Sequence, residues 1–380
     1  MKNLAIVSPS LTNSPETFVQ SHINGIQANV YYYYGNLIPS YLDGEGLFSM
    51  NYEHLRNKKA WLSVIKRINF VNYKRSGLNL KEYLFARSLK EHHIDVVMAE
   101  YGTTSAEILN VCKYCQIPLV AHFHGRDSSD YSVIERYKEK YSELFNYASS
   151  VIVVSKEMKR RLIDMGCSPS IIEYVPCVPD DCFYQSLPSY DSQQFFFVGR
   201  FTDKKAPYAV VYAFSKIVGD YPDAKLVMAG DGPLLNSTKN LAKLFGLEDC
   251  VVFCGRISPP QTIEYMKNSF AYIQHSIIAD DGDMEGTPVA VMEASAIGLP
   301  VISTFHAGIP DIIIDKQTGL LSNELDVNTM ADNMKYLLEN KDIAISMGRN
   351  GKKRMKEEFS KKDQMEKLTR IIENASNIKS

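Results

Sequence analysis

A chain of 380 residues, 45% hydrophobic and 23% charged, is long for one core and suits two globular domains. A net charge of −2 gives the molecule as a whole no reason to bind nucleic acid. No run reaches the ~18 uncharged apolar residues of a spanning helix. Seven cysteines without a secretory signal are no disulfide framework, which points to the cytoplasm.

"MKNLAIVSPS" turns polar too promptly for a signal peptide and predicts a first strand. "NVYYYY", "IDVVMAE", "PLVAHFH", "SVIVVS" and "IIEYVP" continue as strands of a first half. "QFFFVGR", "AKLVMAGDG", "CVVFCGR", "FAYIQHS", "LPVIST" and "GLLS" are strands of a second. Amphipathic patterns at 16–28, 80–91, 207–218, 234–245 and 326–338 predict helices between them. Such alternation means parallel sheets covered by helices on both faces. The expected fold is therefore α/β, with two doubly wound, Rossmann-like domains facing across a cleft. The Pro-, Ser- and Asp-rich stretch 179–194 divides them, giving domains 1–185 and 186–360 and a terminal helical piece, 361–380.

Charge is unevenly spread. Residues 51–90 carry ten Lys/Arg against two Asp/Glu, net +8, which leaves −10 for the rest. With Trp61, Val64, Ile65 and Ile68 interleaved, this block suits either an anionic membrane surface or a plain solvated face. Cys112 and Cys115 form a lone C-x-x-C and Cys250 and Cys254 flank a strand; both pairs are better read as buried apolar residues than as zinc ligands.

In open parallel sheets, ligands sit beyond the carboxyl ends of strands, and charged residues recur there. Arg200, Lys204 and Lys205 follow "FFFVG" and precede a helix, an arrangement for a phosphate or simply a solvated loop. Gly230 and Gly232 make a tight turn, lacking the third glycine of a dinucleotide site, and would let backbone approach a ligand. Arg256 ends the next strand. Asp281 and Asp283 form a D-x-D that is either turn chemistry or half of a metal–diphosphate site. His122 and His124 share one face of their strand.

The segment "EGTPVAVMEASAIGLPV" holds the most telling residue. Thr287 suits an N-cap, Pro288 a first helical position, and Gly298 a terminus, around a helix apolar on nearly every side. Glu293 sits inside it with no Lys or Arg nearby in sequence, and a buried carboxylate needs donors. Sugar hydroxyls are donors. Cations and a helix terminus for a diphosphate, with Glu285 and Glu293 for hydroxyls, outline a nucleotide-sugar.

Glu285 and Glu293, with seven residues between them and followed by "ASAIGLPVIST" and "AGIPDIIIDKQTGLL", resemble the signature of glycosyltransferase family 4. "VGRFTDKKA" is similar to the family's V-G-R-x-x-x-K-K-G, with Ala206 for the last glycine. "MAGDGPLL" and "VVFCGRISPPQTIEYM" match its intermediate elements, so residues 194–325 carry the resemblance. "SPETFVQSHI" and "HFHGRD" look like the branch that builds bacterial exopolysaccharide, colanic acid and O-antigen repeats. "VPCVPDDCF" departs from the usual N-G-V-D at the hinge.

The resemblance implies a GT-B fold whose final helix crosses back to the first domain. It implies a retaining transferase that takes a nucleotide-sugar and needs no metal or other cofactor. Arg200 and Lys205 would hold the donor diphosphate, Glu293 its ribose and Glu285 its sugar, with Gly230, Gly286, Thr287 and Pro288 close by. Arg256 and Ile257 fall at the base pocket, His124 beside the reacting sugar, and Glu16 and Thr17 on the acceptor side. The acceptor would be a saccharide, with a lipid-linked one giving the basic block 51–90 a use at the inner face of the membrane. A nucleotide-sugar 2-epimerase on the same fold, or a non-catalytic nucleotide-sugar-binding subunit, are the competing readings.

Overall fold

The computed structural model describes residues 1–13, 16–48 and 70–377. Nearly half of the basic block, residues 51–69, lies outside them; the rest carries the helices Phe70–Ser76 and Leu80–Glu91.

The chain builds two sheets. The first has eight strands in the order β4-β3-β2-β1-β5-β6-β7-β8. They are β1 (Asn3–Val7), β2 (Asn29–Tyr34), β3 (Tyr41–Leu42), β4 (Gly46–Leu47), β5 (Val96–Glu100), β6 (Leu119–His122), β7 (Ser150–Val153) and β8 (Ile172–Tyr174). β2, β3 and β4 form an antiparallel edge, and the rest of the sheet is parallel. The second sheet is wholly parallel, in the order β11-β10-β9-β12-β13-β14. It comprises β9 (Gln194–Val198), β10 (Lys225–Ala229), β11 (Val251–Gly255), β12 (Ala271–Ile273), β13 (Val301–Thr304) and β14 (Gly319–Ser322).

The central strands of each sheet are buried on both faces, which is why they read as unbroken apolar runs. Alternate residues serve opposite cores, as the two-residue strand period requires. Val97 and Ala99 join one cluster while Val96 and Met98 join another; Phe195 and Phe197 face one way and Phe196 the other. The last helix, Lys361–Asn377, leaves the second domain and packs Leu368, Ile371 and Ile372 against Leu4, Met98 and Val120 of the first sheet. It also fastens the connection between domains, where Gln364 Nε2 donates to the Pro176 carbonyl at 2.7 Å and Lys361 meets Asp180 at 2.7 Å.

Strand order reverses between β1 and β5 in the first sheet and between β9 and β12 in the second. Crevices open at such switch points, and Lys204 and Lys205, which follow β9, and the loop after β12 that carries Glu285 lie at the second of them. No helix among the described residues is long and apolar enough to cross a membrane.

Candidate active site

On the second-domain side, the chain leaves β9 through Gly199 and makes a single 3-10 turn, Asp203–Lys205. Ala206 then adopts φ 32°, a left-handed conformation that favours glycine. This turn brings both lysines against the loop after β12. Lys204 Nζ lies 3.0 Å from Asp283 Oδ1 and donates to the Met284 carbonyl at 3.2 Å. Lys205 Nζ lies 2.9 Å from Glu285 Oε1 and reaches Gln274 Oε1 at 3.4 Å. The Lys205–Glu285 approach is too oblique for a hydrogen bond, so a buried carboxylate oxygen keeps an open valence. Burial raises the Glu285 pKa, but Lys205 and Lys204 outweigh it and hold the group below its usual range. Arg200 is exposed and pairs with no described residue.

Glu285 is fixed from behind by a relay the sequence did not reveal. Its amide donates to His306 Nε2 at 3.2 Å, so the ring proton sits on Nδ1, which donates to Glu324 Oε1 at 2.6 Å. The Asp281–Asp283 pair is turn chemistry together with the Lys204 ion pair: Asp281 Oδ1 accepts from the Asp283 amide at 3.0 Å.

Thr287 does not cap the following helix. The helix is Val289–Ile297, Pro288 stands at its cap position, and Thr287 Oγ1 donates instead to the Val154 carbonyl of the first domain at 2.5 Å. A contact between domains has overridden a local preference. Gly286 is part of the same contact, since a β-carbon there would come within 2.1 Å of the His124 carbonyl oxygen. Met284 N donates to Ser129 Oγ at 3.1 Å and Tyr131 N to the Asp281 carbonyl at 2.8 Å, so the cleft is closed along this loop.

Gly230 serves a different purpose from the one its spacing suggests. Its amide donates to the Gly255 carbonyl at 2.7 Å, and a β-carbon would strike the Gly199 carbonyl at 1.8 Å. Its close approach is to the backbone that follows β9. Arg256 is exposed and meets Asp231 Oδ2 at 3.2 Å, while Ile257 packs on the edge of the core beside it. Cys112 and Cys115 lie on the helix Gly102–Cys115, and all seven cysteines are free.

Glu293 is half-buried and faces a cavity of about 30 Å³ lined by Phe18, His22, Val178, Asp180, Val289 and Gln364. No described cation pairs with it. Burial, with Asp180 adding repulsion, raises its pKa to about 7. Thr17 lines the same cavity, and exposed Glu16 accepts from Tyr101 Oη at 3.4 Å.

Across the cleft, β5 and β6 deliver Glu100 and His122, with His124 two residues on. Glu100 is wholly buried, its carboxylate 2.7 Å from His22 Nδ1, 3.2 Å from His122 Nδ1 and 2.7 Å from His124 Nε2. Tyr101, immediately after it, has φ 74°, strain of the kind found at functional positions. The loop beyond is braced by Asp127, which accepts from the amides of Gly102, His124 and Gly125 at 2.7, 3.1 and 2.9 Å. Among the described residues, His22, Glu100 and His122 are the one group with metal-ligand spacing. The sequence offered His124 but not its partner Glu100, nor Gln274, His306 and Glu324.

Two α/β domains with opposed switch points, cationic loops on one wall and a histidine cluster on the other, define a GT-B protein. Comparison with known proteins agrees. The model for glycosyl transferases group 1 matches residues 183–354, and that for glycosyltransferase family 4 matches residues 46–181. The chain belongs to these glycosyltransferases. It is 28% identical over 295 residues to the amylovoran biosynthesis glycosyltransferase AmsK of Erwinia amylovora, covering 76% of this chain and 72% of that one. It is likewise 28% identical over 273 residues to the putative colanic acid biosynthesis glycosyltransferase WcaL of Salmonella typhimurium, covering 70% and 67%. Among solved structures, Anabaena HepE in complex with UDP superposes with a TM-score of 0.76 at 14% identity, over 98% of this chain and all of that one.

Proposed function

We propose that this glycosyltransferase moves a sugar from a nucleotide-sugar donor to a saccharide acceptor in exopolysaccharide assembly, with retention of anomeric configuration. The observation that carries the reading is the meeting of Lys205 with Glu285 at the second switch point. A cation at that crevice suits a departing diphosphate, and the carboxylate oxygen left without a hydrogen bond suits a sugar hydroxyl. The names of the relatives, amylovoran and colanic acid enzymes, supply the polymer class, and the UDP bound by HepE supports a nucleotide donor.

In this reading Arg200 and Lys205 stabilise charge as it develops on the leaving phosphate. Glu285 holds the sugar and Glu293 the ribose, and His124 approaches the sugar from the first domain. In a front-face displacement the departing phosphate oxygen takes the acceptor's proton, so alignment in a closed cleft matters more than any general base. No metal is required by these parts. The acceptor enters past Glu16 and Thr17, and a lipid-linked saccharide would draw the basic block 51–90 to an anionic membrane face.

The test is a thermal-shift screen with UDP, GDP, ADP and their common sugars, followed by transfer assays with the stabilising donor. Selective stabilisation that is lost in Glu293→Ala supports the reading. No shift with any nucleotide rejects it. The anomeric configuration of the product, read from NMR couplings, decides retention.

A further inference from the structure

The cluster around Glu100 does something that the transfer scheme leaves out. Glu100 ends β5 beside the point where strand order reverses, and nothing of its side chain reaches solvent. Oε1 accepts from His22 Nδ1 and Oε2 from His124 Nε2, each at 2.7 Å. His122 Nδ1 stands 3.2 Å from Oε2 without hydrogen-bond geometry. Burial alone would keep the carboxyl protonated, but His22 and His122 overcome it and hold the group well below its usual range.

The three histidines are not equivalent. His22 and His122 are sealed in the core, and His22 Nε2 and both His122 nitrogens have no hydrogen-bond partner. His124 keeps 8% of its side chain accessible, and its Nδ1 is neither sealed nor bonded to any described residue. The rings of Phe18 at 4.4 Å and Tyr101 at 4.9 Å hold the imidazole in place. Burial lowers the His124 pKa and favours the neutral ring; since an ionised carboxylate only accepts, Nε2 carries the single ring proton and Nδ1 is a lone pair.

We propose that Glu100 is a positioning residue which fixes His124 as its Nε2–H tautomer, so that Nδ1 faces the cleft as an acceptor for a sugar hydroxyl. The inference rests on the transfer reading above. A metal held by His22, Glu100 and His122 is the weaker account of the same atoms. Two ligands on one zinc ion stand roughly 3.3 Å apart, whereas His22 and Glu100 are in hydrogen-bond contact at 2.7 Å. The other ionisable groups packed around the cluster are Tyr32, Tyr101, Cys177, Asp127 and exposed Glu16. Burial raises Tyr32, Tyr101 and Cys177, which stay neutral, and Asp127 is engaged by backbone amides.

The experiment reads the tautomer directly. Proton–nitrogen correlation spectra of histidine-labelled protein at pH 7.5, with His124 assigned through His124→Asn, should show the Nε2–H form. An Nδ1–H form in the unsubstituted protein overturns the proposal, as does stoichiometric zinc. In Glu100→Gln the amide can donate as well as accept, so the tautomers should mix. The kcat should then fall about five- to tenfold, the worth of one neutral hydrogen bond, with nucleotide binding kept. A folded Glu100→Gln that retains the tautomer, with or without activity, shows a merely structural role and overturns it. If that variant does not fold, the spectrum of the unsubstituted protein still decides. Donor hydrolysis without acceptor falls in parallel if the hydroxyl is the donor's; transfer alone falls if it is the acceptor's. Failure of the unsubstituted protein to bind any nucleotide counts against the transfer reading and leaves the tautomer readable.

Discussion

Lys205 Nζ stands 2.9 Å from Glu285 Oε1, joining the loops that leave β9 and β12, neighbours on either side of the second sheet's switch point. Both side chains are largely withdrawn from solvent, at 13% and 8% exposure. Removing one partner from such a pair strands the other charge. Lys205→Ala should therefore destabilise the protein by about 2–4 kcal/mol, and Lys205→Met with Glu285→Gln should recover most of the loss while remaining inactive. Urea denaturation of Lys205→Ala, and of Lys205→Met and Glu285→Gln separately and together, checks the pair. In kinetics, Lys205→Ala should lose far more turnover than donor affinity, and a matched loss in both would remove Lys205 from the leaving-group role.

Arg200 makes the opposite case. It is exposed and has no described partner, so Arg200→Ala should leave stability within about 0.5 kcal/mol. Its contribution should show only when a diphosphate is present. Calorimetric titration with nucleoside diphosphate and with nucleoside, at two salt concentrations, should show a loss confined to the diphosphate and steeper at low salt. Equal weakening of both ligands would place Arg200 away from the phosphates.

What could be read from sequence here divides along a physical line. Strands buried on both faces announce themselves, as "IDVVMAE" and "QFFFVGR" did, and charged residues just beyond strand ends fall near the cleft whatever the details of packing. Lys205 and Glu285 were legible for that reason. Glu100 was not, since its meaning depends on His22, 78 residues away, reaching the same point in space. Thr287 misled because its hydroxyl had a better partner across the cleft than its own helix offered. Gly230 was ambiguous because a tight backbone approach looks alike in sequence whether the neighbour is a ligand or, as at Gly199, another segment of the chain.

Glu293 should couple nucleotide binding to proton release. Its carboxyl has a pKa raised to about 7 by burial and by Asp180, so near neutrality it is partly protonated. Ribose hydroxyls donating to it favour the ionised form, so binding expels a proton and affinity falls as pH drops below 7. Titration calorimetry in buffers of differing ionisation enthalpy at pH 7 measures the proton count. The sign for stability is reversed from that of a paired carboxylate. The folded state holds this proton more tightly than the unfolded one, so between about pH 4.5 and 7 the group costs stability progressively, and above pH 7 the cost is complete. Glu293→Gln should raise stability at pH 8 by roughly 1–3 kcal/mol, yet abolish the linked proton release. A variant that still releases the proton would assign it elsewhere.

Closure of the cleft turns on Gly286. A β-carbon there would sit 2.1 Å from the His124 carbonyl oxygen, which is backbone and cannot swing aside. The backbone of Gly286 itself lies outside the left-handed region, so only the space between domains is at stake. Gly286→Ala should therefore leave both domains folded while preventing Thr287 from reaching Val154 and Met284 from reaching Ser129. Small-angle scattering with saturating nucleotide should give a larger radius of gyration than the unsubstituted protein. Nucleotide binding to the second domain should persist, and turnover should fall by at least about tenfold, because the His124 wall no longer closes on the donor. Thr287→Val, which loses one hydrogen bond without adding bulk, should show a much smaller effect in both measurements. A Gly286→Ala protein with full turnover and unchanged scattering would mean that the two walls need not meet for catalysis.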